Sequence, residues 1–143
     1  MPITRFATPS DWPFWHTLDT RISNALFLRK AEAGECYIVE LNGTPAGLLR
    51  WNRFWDEVPF CTLLYIEQTR RGRGLGRALV ARWEADMRAQ GHGMAMTSTQ
   101  SDEEARHFWR ALGYKDAGGF DIDVPGYEQP PELILLKDLR KET

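Results

Sequence analysis

The stretch RRGRGLGRAL, residues 70–79, decides the fold, because it places four arginines and three glycines in ten residues. Gly72, Gly74 and Gly76 have no Cβ, so successive backbone N–H groups there can point in one direction. Arginine guanidinium groups bind phosphate oxygens through paired hydrogen bonds. The stretch therefore predicts a turn that binds an anion, and its charge suits a diphosphate.

An amphipathic helix is predicted to follow this turn directly. Leu75, Leu79, Trp83 and Met87 recur every four residues, and Gly91 ends the pattern. The first N–H groups of such a helix have no partner inside it, and its dipole favours negative charge at that end. The helix start and the glycine turn therefore predict one and the same anion site.

Strand and helix patterns surround the turn on both sides. Asn42-Gly43 between two β-rich runs predicts a hairpin, and residues 101–104 resemble the capping box of a helix. Strands are predicted at residues 3–6, 35–41, 44–51, 62–66, 94–99 and 132–137, with two short helices at about 8–33 and longer ones at about 75–90 and 105–112. This order predicts an α/β fold in which a mixed sheet carries helices on its faces.

The composition is that of one globular domain spanning residues 1–143. Hydrophobic residues make up 43% and charged residues 27% of the chain, which is sufficient for a core. The net charge of −2 argues against nucleic-acid or membrane partners, since the arginines are concentrated in one place. The chain shows neither a signal peptide nor a run of transmembrane length, so a cytoplasmic protein is expected.

The cysteines and histidines predict neither a metal site nor a disulfide. Cys36 and Cys61 fit no ligand spacing and no disulfide framework, which favours a reducing compartment. His16, His92 and His107 share no spacing that would bring them to one metal ion.

Two common diphosphate motifs are disfavoured by the residues around Gly74. A Walker loop needs Gly-Lys-Ser/Thr, whereas Leu75, Gly76 and Arg77 follow Gly74. A dinucleotide fingerprint needs G-x-x-G after its first pair of glycines and an acidic residue after the next strand, and MAMTST offers none.

Two motifs instead resemble those of the GNAT N-acetyltransferase superfamily. RGRGLG, residues 71–76, matches the pattern R/Q-x-x-G-x-G/A, and Ile66 matches the apolar residue of the preceding strand. DEEARHFWRALGY, residues 102–114, resembles the second signature of the family, at the expected separation. The resemblance covers nearly the whole chain and implies a single α/β (α+β) domain with a mixed, mostly antiparallel twisted sheet and helices on both faces.

The resemblance implies that acetyl-CoA is bound as the acyl donor. Backbone N–H groups of the glycine turn would hold the pyrophosphate, and the pantetheine arm would pair with the strand at Tyr65 and Ile66, where that strand parts from its neighbour. A backbone N–H near Ile66 would stabilise the oxyanion of the tetrahedral intermediate. The implied cofactor-binding residues are Tyr65, Ile66, Arg71, Gly72, Arg73, Gly74, Leu75, Gly76, Arg77, Asp102 and Trp109.

The catalytic residues are less well marked, because the sequence departs from the family pattern. The strand before the turn lacks the usual glutamate, and Glu67 beyond it is either a base or, more simply, a turn residue paired with arginine. Asp56 and Glu57 are candidates for attracting the amine or relaying its proton, or else form a solvated hairpin tip. Trp109 replaces the usual tyrosine acid, so Tyr114 or solvent is left to protonate the thiolate.

These features predict transfer of an acetyl group to a primary amine by direct attack in a ternary complex. The acceptor is expected to be a small-molecule or peptide amine, and a homodimer is left open. The alternative is a catalytically weak or inactive coenzyme A-binding domain with a regulatory or interaction role. A nucleotide-phosphate binder is a third interpretation, which requires that coenzyme A does not bind.

Overall fold

A computed structural model describes residues 1–141, and within them it contains seven strands and four α-helices. The strands are β1 (Pro2–Phe6), β2 (Cys36–Leu41), β3 (Thr44–Phe54), β4 (Val58–Ile66), β5 (Met94–Gln100), β6 (Lys115–Phe120) and β7 (Glu132–Asp138). The helices are α1 (Trp12–Leu18), α2 (Asn24–Glu32), α3 (Leu75–Ala89) and α4 (Ala105–Ala111). Short 3-10 turns precede α1 (Pro9–Asp11) and α3 (Gln68–Arg70).

The seven strands form one mixed sheet in the hydrogen-bonded order β1-β2-β3-β4-β5-β7-β6. The pairs β1–β2, β2–β3, β5–β7 and β6–β7 are antiparallel, whereas β4 and β5 are parallel. The predicted mixed, mostly antiparallel sheet is therefore confirmed.

Contacts divide the chain into two compact units, of which the first comprises Met1–Asn52 and Thr62–Asp86. Its core contains large apolar side chains from α1, α2, β2 and β3, among them Trp15, Phe27, Ile38 and Leu48, all with no exposed surface. Burying side chains of this size contributes about 1.5–3 kcal/mol each, so this cluster is a main source of stability for the unit.

The predicted hairpin and most of the predicted long helix are present in this first unit. Asn42 and Gly43 have φ angles of 54° and 77°, as a two-residue turn between β2 and β3 requires. In α3, Leu75, Leu79 and Trp83 are at most 2% exposed, which confirms the apolar stripe that begins immediately after the glycine turn.

The second unit comprises Arg53–Cys61 and the residues from Met87 onward. Here β4 pairs with β5 through Phe60–Met96 and Cys61–Thr97, and the Thr97 hydroxyl donates to the Cys61 carbonyl at 3.0 Å. Strand β7 lies between β5 and β6 and pairs with both. No helix in residues 1–141 is both long and apolar enough to cross a bilayer.

Strand β6 was not predicted from the sequence. Its residues, KDAGGF, are all exposed and show no alternation of apolar and polar side chains, so they carry no strand pattern. The strand forms because the backbone of β7 offers hydrogen-bonding groups along its free edge, with a bulge between Asp116 and Gly118.

The capping box predicted at residues 101–104 is wrong. Helix α4 begins at Ala105, and its N-cap, Glu104, makes no side-chain cap hydrogen bond. The Glu103 carboxylate instead accepts from the Gln100 backbone N–H at 2.9 Å, and the Ser101 N–H donates to the Pro131 carbonyl. The Ser101 backbone is thus hydrogen-bonded to Pro131, which is distant in sequence, and local sequence does not predict this bond.

Candidate functional site

The glycine turn in the first unit adopts the open conformation that its sequence predicts. Gly72 and Gly74 have φ angles of +80° and +77°, in the region that L side chains rarely adopt. A Cβ built on either residue would meet no heavy atom within 4 Å, so the space beside the backbone is open. These glycines are needed for backbone conformation and not for tight packing.

The backbone N–H groups of residues 72–77 form no hydrogen bond within the part of the chain that the structure describes. The first bonded N–H after the turn is that of Ala78, which donates to the Gly74 carbonyl at 3.0 Å. These groups lie at the positive end of the 15-residue helix α3. The turn therefore has six backbone donors without a partner in residues 1–141, a number that would suit a diphosphate.

Three of the four arginines of the turn are available for a ligand. The side chains of Arg70, Arg73 and Arg77 make no hydrogen bond or ion pair with any residue in the range 1–141. Arg71 differs, because its Nε donates to the Ile66 carbonyl at 3.0 Å and its guanidinium carbon lies 5.2 Å from the centre of the Tyr65 ring. The cationic charge beside the free N–H groups comes from the other three.

The end of β4 is held against β3 in the same unit. The Glu67 N–H donates to the Ala46 carbonyl at 2.9 Å. A Cβ on Gly47 would lie 2.5 Å from Ile66 Cδ1 and 2.9 Å from the Tyr65 carbonyl oxygen, so only glycine fits. Gly47 was not predicted as a site residue, although a glycine inside a predicted strand is a signal for close backbone approach.

The simpler of the two sequence interpretations required the Glu67 side chain to pair with an arginine. The structure shows no such pair in the described part of the chain. Glu67 is half-buried as a residue, and its carboxylate has no hydrogen-bond or ion-pair partner among residues 1–141. Glu67 directly follows Ile66, so an uncommitted carboxylate lies at the end of β4.

Asp56 and Glu57 lie in the second unit, at the tip of the hairpin between β3 and β4. Trp55 and Asp56 have φ angles of 58° and 60°, and the Glu57 N–H closes the turn on the Phe54 carbonyl at 3.1 Å. Both acidic side chains are exposed and border a cavity of about 820 Å³, which Arg53 and Arg140 also line. The tip is solvated and carries both signs of charge.

The residues of the predicted second signature also lie in the second unit. Trp109 is 4% exposed and makes edge-on contacts with Phe108 and Tyr114. Tyr114 is 2% exposed, and the Lys137 ammonium lies 5.7 Å from the centre of its ring. Asp102 is exposed and lies before α4 begins. Trp109 and Tyr114 therefore have the surroundings of core side chains.

Both cysteines are buried thiols. Cys36 has no exposed surface, and burial raises the pKa of its thiol to about 12. Cys61 is 2% exposed. Because the thiolate is the nucleophilic form, Cys36 is unreactive near neutral pH.

Comparison with known proteins identifies the class that this fold and turn define. The sequence profile of the acetyltransferase (GNAT) family matches residues 4–114, and the chain therefore belongs to that family. No curated protein matches the sequence.

Solved structures share the fold at low sequence identity. The N-acetyltransferase from Staphylococcus aureus Mu50 superimposes with a TM-score of 0.83 at 17% identity, covering 97% of this chain and 99% of that one. YncA from Salmonella typhimurium, solved with its cofactor acetyl-CoA, gives 0.80 at 15% identity, with coverage of 100% and 96%. Naa50 from Arabidopsis thaliana, in complex with the bisubstrate analogue CoA-Ac-MVNAL, gives 0.79 at 15% identity, with coverage of 96% and 98%.

Proposed function

We propose that this chain, acting as one domain over residues 1–143, transfers the acetyl group of acetyl-CoA to a primary amine. The observation that carries the proposal is the set of six unused backbone N–H groups at residues 72–77, which follow β4 and its 3-10 turn and lie at the start of α3. Membership of the GNAT family supports the same acyl donor. The acetyl-CoA bound to the similar YncA structure is consistent with it.

The donor is proposed to bind along the first unit. The pyrophosphate accepts hydrogen bonds from the N–H groups of Gly72 to Arg77, with Arg73 and Arg77 neutralising its charge. The pantetheine arm lies along the backbone of Tyr65 and Ile66, and a backbone N–H there polarises the thioester carbonyl. Asp102 and Trp109 stay predictions as cofactor contacts.

Direct attack by the amine is favoured over a covalent acyl-enzyme. A cysteine relay requires an accessible thiolate, and both Cys36 and Cys61 are buried. The amine must therefore reach the thioester while acetyl-CoA is bound, which is a ternary complex.

The acceptor is proposed to be a small-molecule or peptide amine. The bisubstrate analogue in the Naa50 complex joins coenzyme A and an acetyl group to the sequence MVNAL, which supports peptide amines for a protein of this fold. Peptide N-termini, polyamines, amino acids and aminoglycosides make up the panel to be tested.

Release of free thiol from acetyl-CoA in the presence of each amine tests the proposal. A disulfide reagent suits this assay, because the two cysteines of the chain are buried and contribute little background. Turnover with any amine establishes the acetyltransferase. Tight coenzyme A binding without turnover on the whole panel would favour the regulatory binding domain, and absence of binding would leave a nucleotide-phosphate binder.

Glu67 is the proposed general base, because its carboxylate is uncommitted and next to Ile66. An alkyl ammonium must lose a proton before it attacks, which costs about 4.6 kcal/mol at pH 7 for a pKa of about 10.4. Glu67→Gln is expected to lower kcat/KM at pH 7 by about tenfold or more, and less at pH 9 where more amine is neutral. Glu103→Gln is the control, and a pH-independent loss would show that Glu67 does not take part in deprotonation.

Asp56 and Glu57 are proposed to attract the ammonium form of the acceptor by charge. Both side chains are exposed at a hairpin tip of the second unit, where their charge faces solvent. The double variant Asp56→Ala/Glu57→Ala is expected to raise KM for a polyamine about threefold, with kcat unchanged, and the effect should vanish at high salt. Retained kcat/KM at low salt would refute this role.

Tyr114 stays a prediction as the group that protonates the thiolate. Its burial against Trp109 favours solvent as the proton source, and coenzyme A is a tolerable thiolate leaving group at neutral pH.

A further inference from the structure

The four arginines of the glycine turn are not equivalent. Arg71 is folded back onto β4, where its Nε donates to the Ile66 carbonyl at 3.0 Å. Its guanidinium carbon also lies 5.2 Å from the centre of the Tyr65 ring, a cation–π contact. Arg70, Arg73 and Arg77 have no such partners among residues 1–141.

The positive charge needed to balance a diphosphate is available without Arg71. A diphosphate bridge carries about two negative charges, and the three other guanidinium groups together with six free N–H groups already exceed that. To reach a phosphate, Arg71 would have to give up a charged hydrogen bond to a carbonyl and its stacking on Tyr65. Its present contacts are therefore the better guide to its role.

The hydrogen bond from Arg71 to Ile66 ties the start of the glycine turn to the end of β4. The 3-10 turn Gln68–Arg70 lies between these two residues, so the bond closes a short loop around it. Together with the contact to the Tyr65 ring, the bond restrains the strand end at Tyr65 and Ile66. That segment is proposed to receive the pantetheine arm, so its position matters for every donor that carries this arm, with or without phosphates.

We propose that Arg71 is a positioning residue, which holds the Tyr65–Ile66 end of β4 in place to receive the pantetheine arm and does not itself bind phosphate. The inference rests on the proposed function, since it assumes that acetyl-CoA is the donor. The arginines then have two different roles. Arg71 acts through the strand that receives the pantetheine arm, whereas Arg73 and Arg77 act on the phosphates.

Two acyl donors separate these roles. Acetyl-CoA carries the phosphates, whereas S-acetyl-pantetheine has the same thioester arm without them. Arg71→Gln is expected to lower kcat/KM about fivefold to tenfold with both donors, which leaves the preference for acetyl-CoA over acetyl-pantetheine unchanged. Arg71→Lys keeps a donor but loses the planar stacking group and should show a smaller loss.

Arg73→Gln is the matched comparison, because it removes an exposed arginine two residues away that has no partner in residues 1–141. It should lower the preference for acetyl-CoA several-fold, and its effect should weaken as salt is raised. Thermal unfolding of each variant shows whether a loss of activity follows from a loss of folded protein. Calorimetric titration with coenzyme A and with pantetheine gives the same comparison without turnover.

Different results would overturn the positioning role of Arg71 and the proposed acetyltransferase function. If Arg71→Gln reduces the use of acetyl-CoA but not of acetyl-pantetheine, Arg71 is a phosphate ligand and the positioning role is wrong. If it changes neither donor, the bond to Ile66 has no functional role. A wild-type chain that binds neither coenzyme A nor pantetheine would overturn the proposed function itself.

Discussion

The Gly74→Asp variant is expected to bind coenzyme A about a hundredfold more weakly than the wild-type chain, a loss of about 2.7 kcal/mol. Two physical effects combine at this position. The φ angle of +77° strains any residue with a Cβ, although aspartate tolerates this region better than most. The larger effect is electrostatic, because a carboxylate would occupy the space in front of the N–H groups that are free to bind phosphate.

The chain offers a matched control for this substitution. Gly43 has the same φ angle of +77°, and a Cβ there also meets nothing within 4 Å. Gly43→Asp therefore imposes the same backbone strain and adds the same charge, but in the hairpin turn between β2 and β3. It should retain coenzyme A binding, as measured by calorimetric titration.

Gly74→Asn separates size from charge at the turn itself. Asparagine has the shape of aspartate without its charge, so it should lose much less affinity than Gly74→Asp. Equal losses for the two variants would show that the turn does not bind an anion, and the proposed donor site would then be wrong.

The Gly47→Ala variant is expected to lose about 1–3 kcal/mol of folding stability and to use acetyl-CoA poorly. The added methyl group would lie 2.5 Å from Ile66 Cδ1 and 2.9 Å from the Tyr65 carbonyl oxygen, which is backbone and cannot rotate away. Relief requires the end of β4 to move away from β3. Tyr65 and Ile66 are also the residues along which the pantetheine arm is proposed to bind, so folding stability and donor binding should fall together.

Gly93→Ala provides the comparison for Gly47→Ala. Its nearest neighbour would be the Arg140 side chain, with Cδ at 3.3 Å, and this long side chain can shift at little cost. The variant should stay within about 0.5 kcal/mol of the wild type in thermal or urea unfolding. If Gly47→Ala also stays within that range, the close approach of β3 and β4 is not a constraint on the strand end.

Local patterns were sufficient to predict much of the fold. The hairpin at Asn42-Gly43 and the apolar stripe of α3 follow from backbone preferences and periodicity within a few residues. The glycine turn was predictable for the same reason, because its glycines and the start of α3 are consecutive in sequence.

Features that depend on distant partners were not predictable. Strand β6 exists because β7 lies beside it, and Ser101 is engaged by the carbonyl of Pro131. In the site, the sequence shows that Arg71 and Glu67 are charged residues near a turn. It does not show which groups their side chains contact in the folded chain. Those contacts depend on side-chain orientations that are set by the folded end of β4.

The polar, glycine-containing composition that kept β6 from being predicted also affects whether two copies of this chain associate through that strand. As the last strand in the sheet order, β6 has one row of backbone groups without a strand partner among residues 1–141. Lys115 and Asp116 place charges along that margin, and the bulge before Gly118 interrupts its regular spacing. Such a margin is a poor template for a strand of another molecule, so crowding at high concentration should not drive these chains to stack edge to edge through β6.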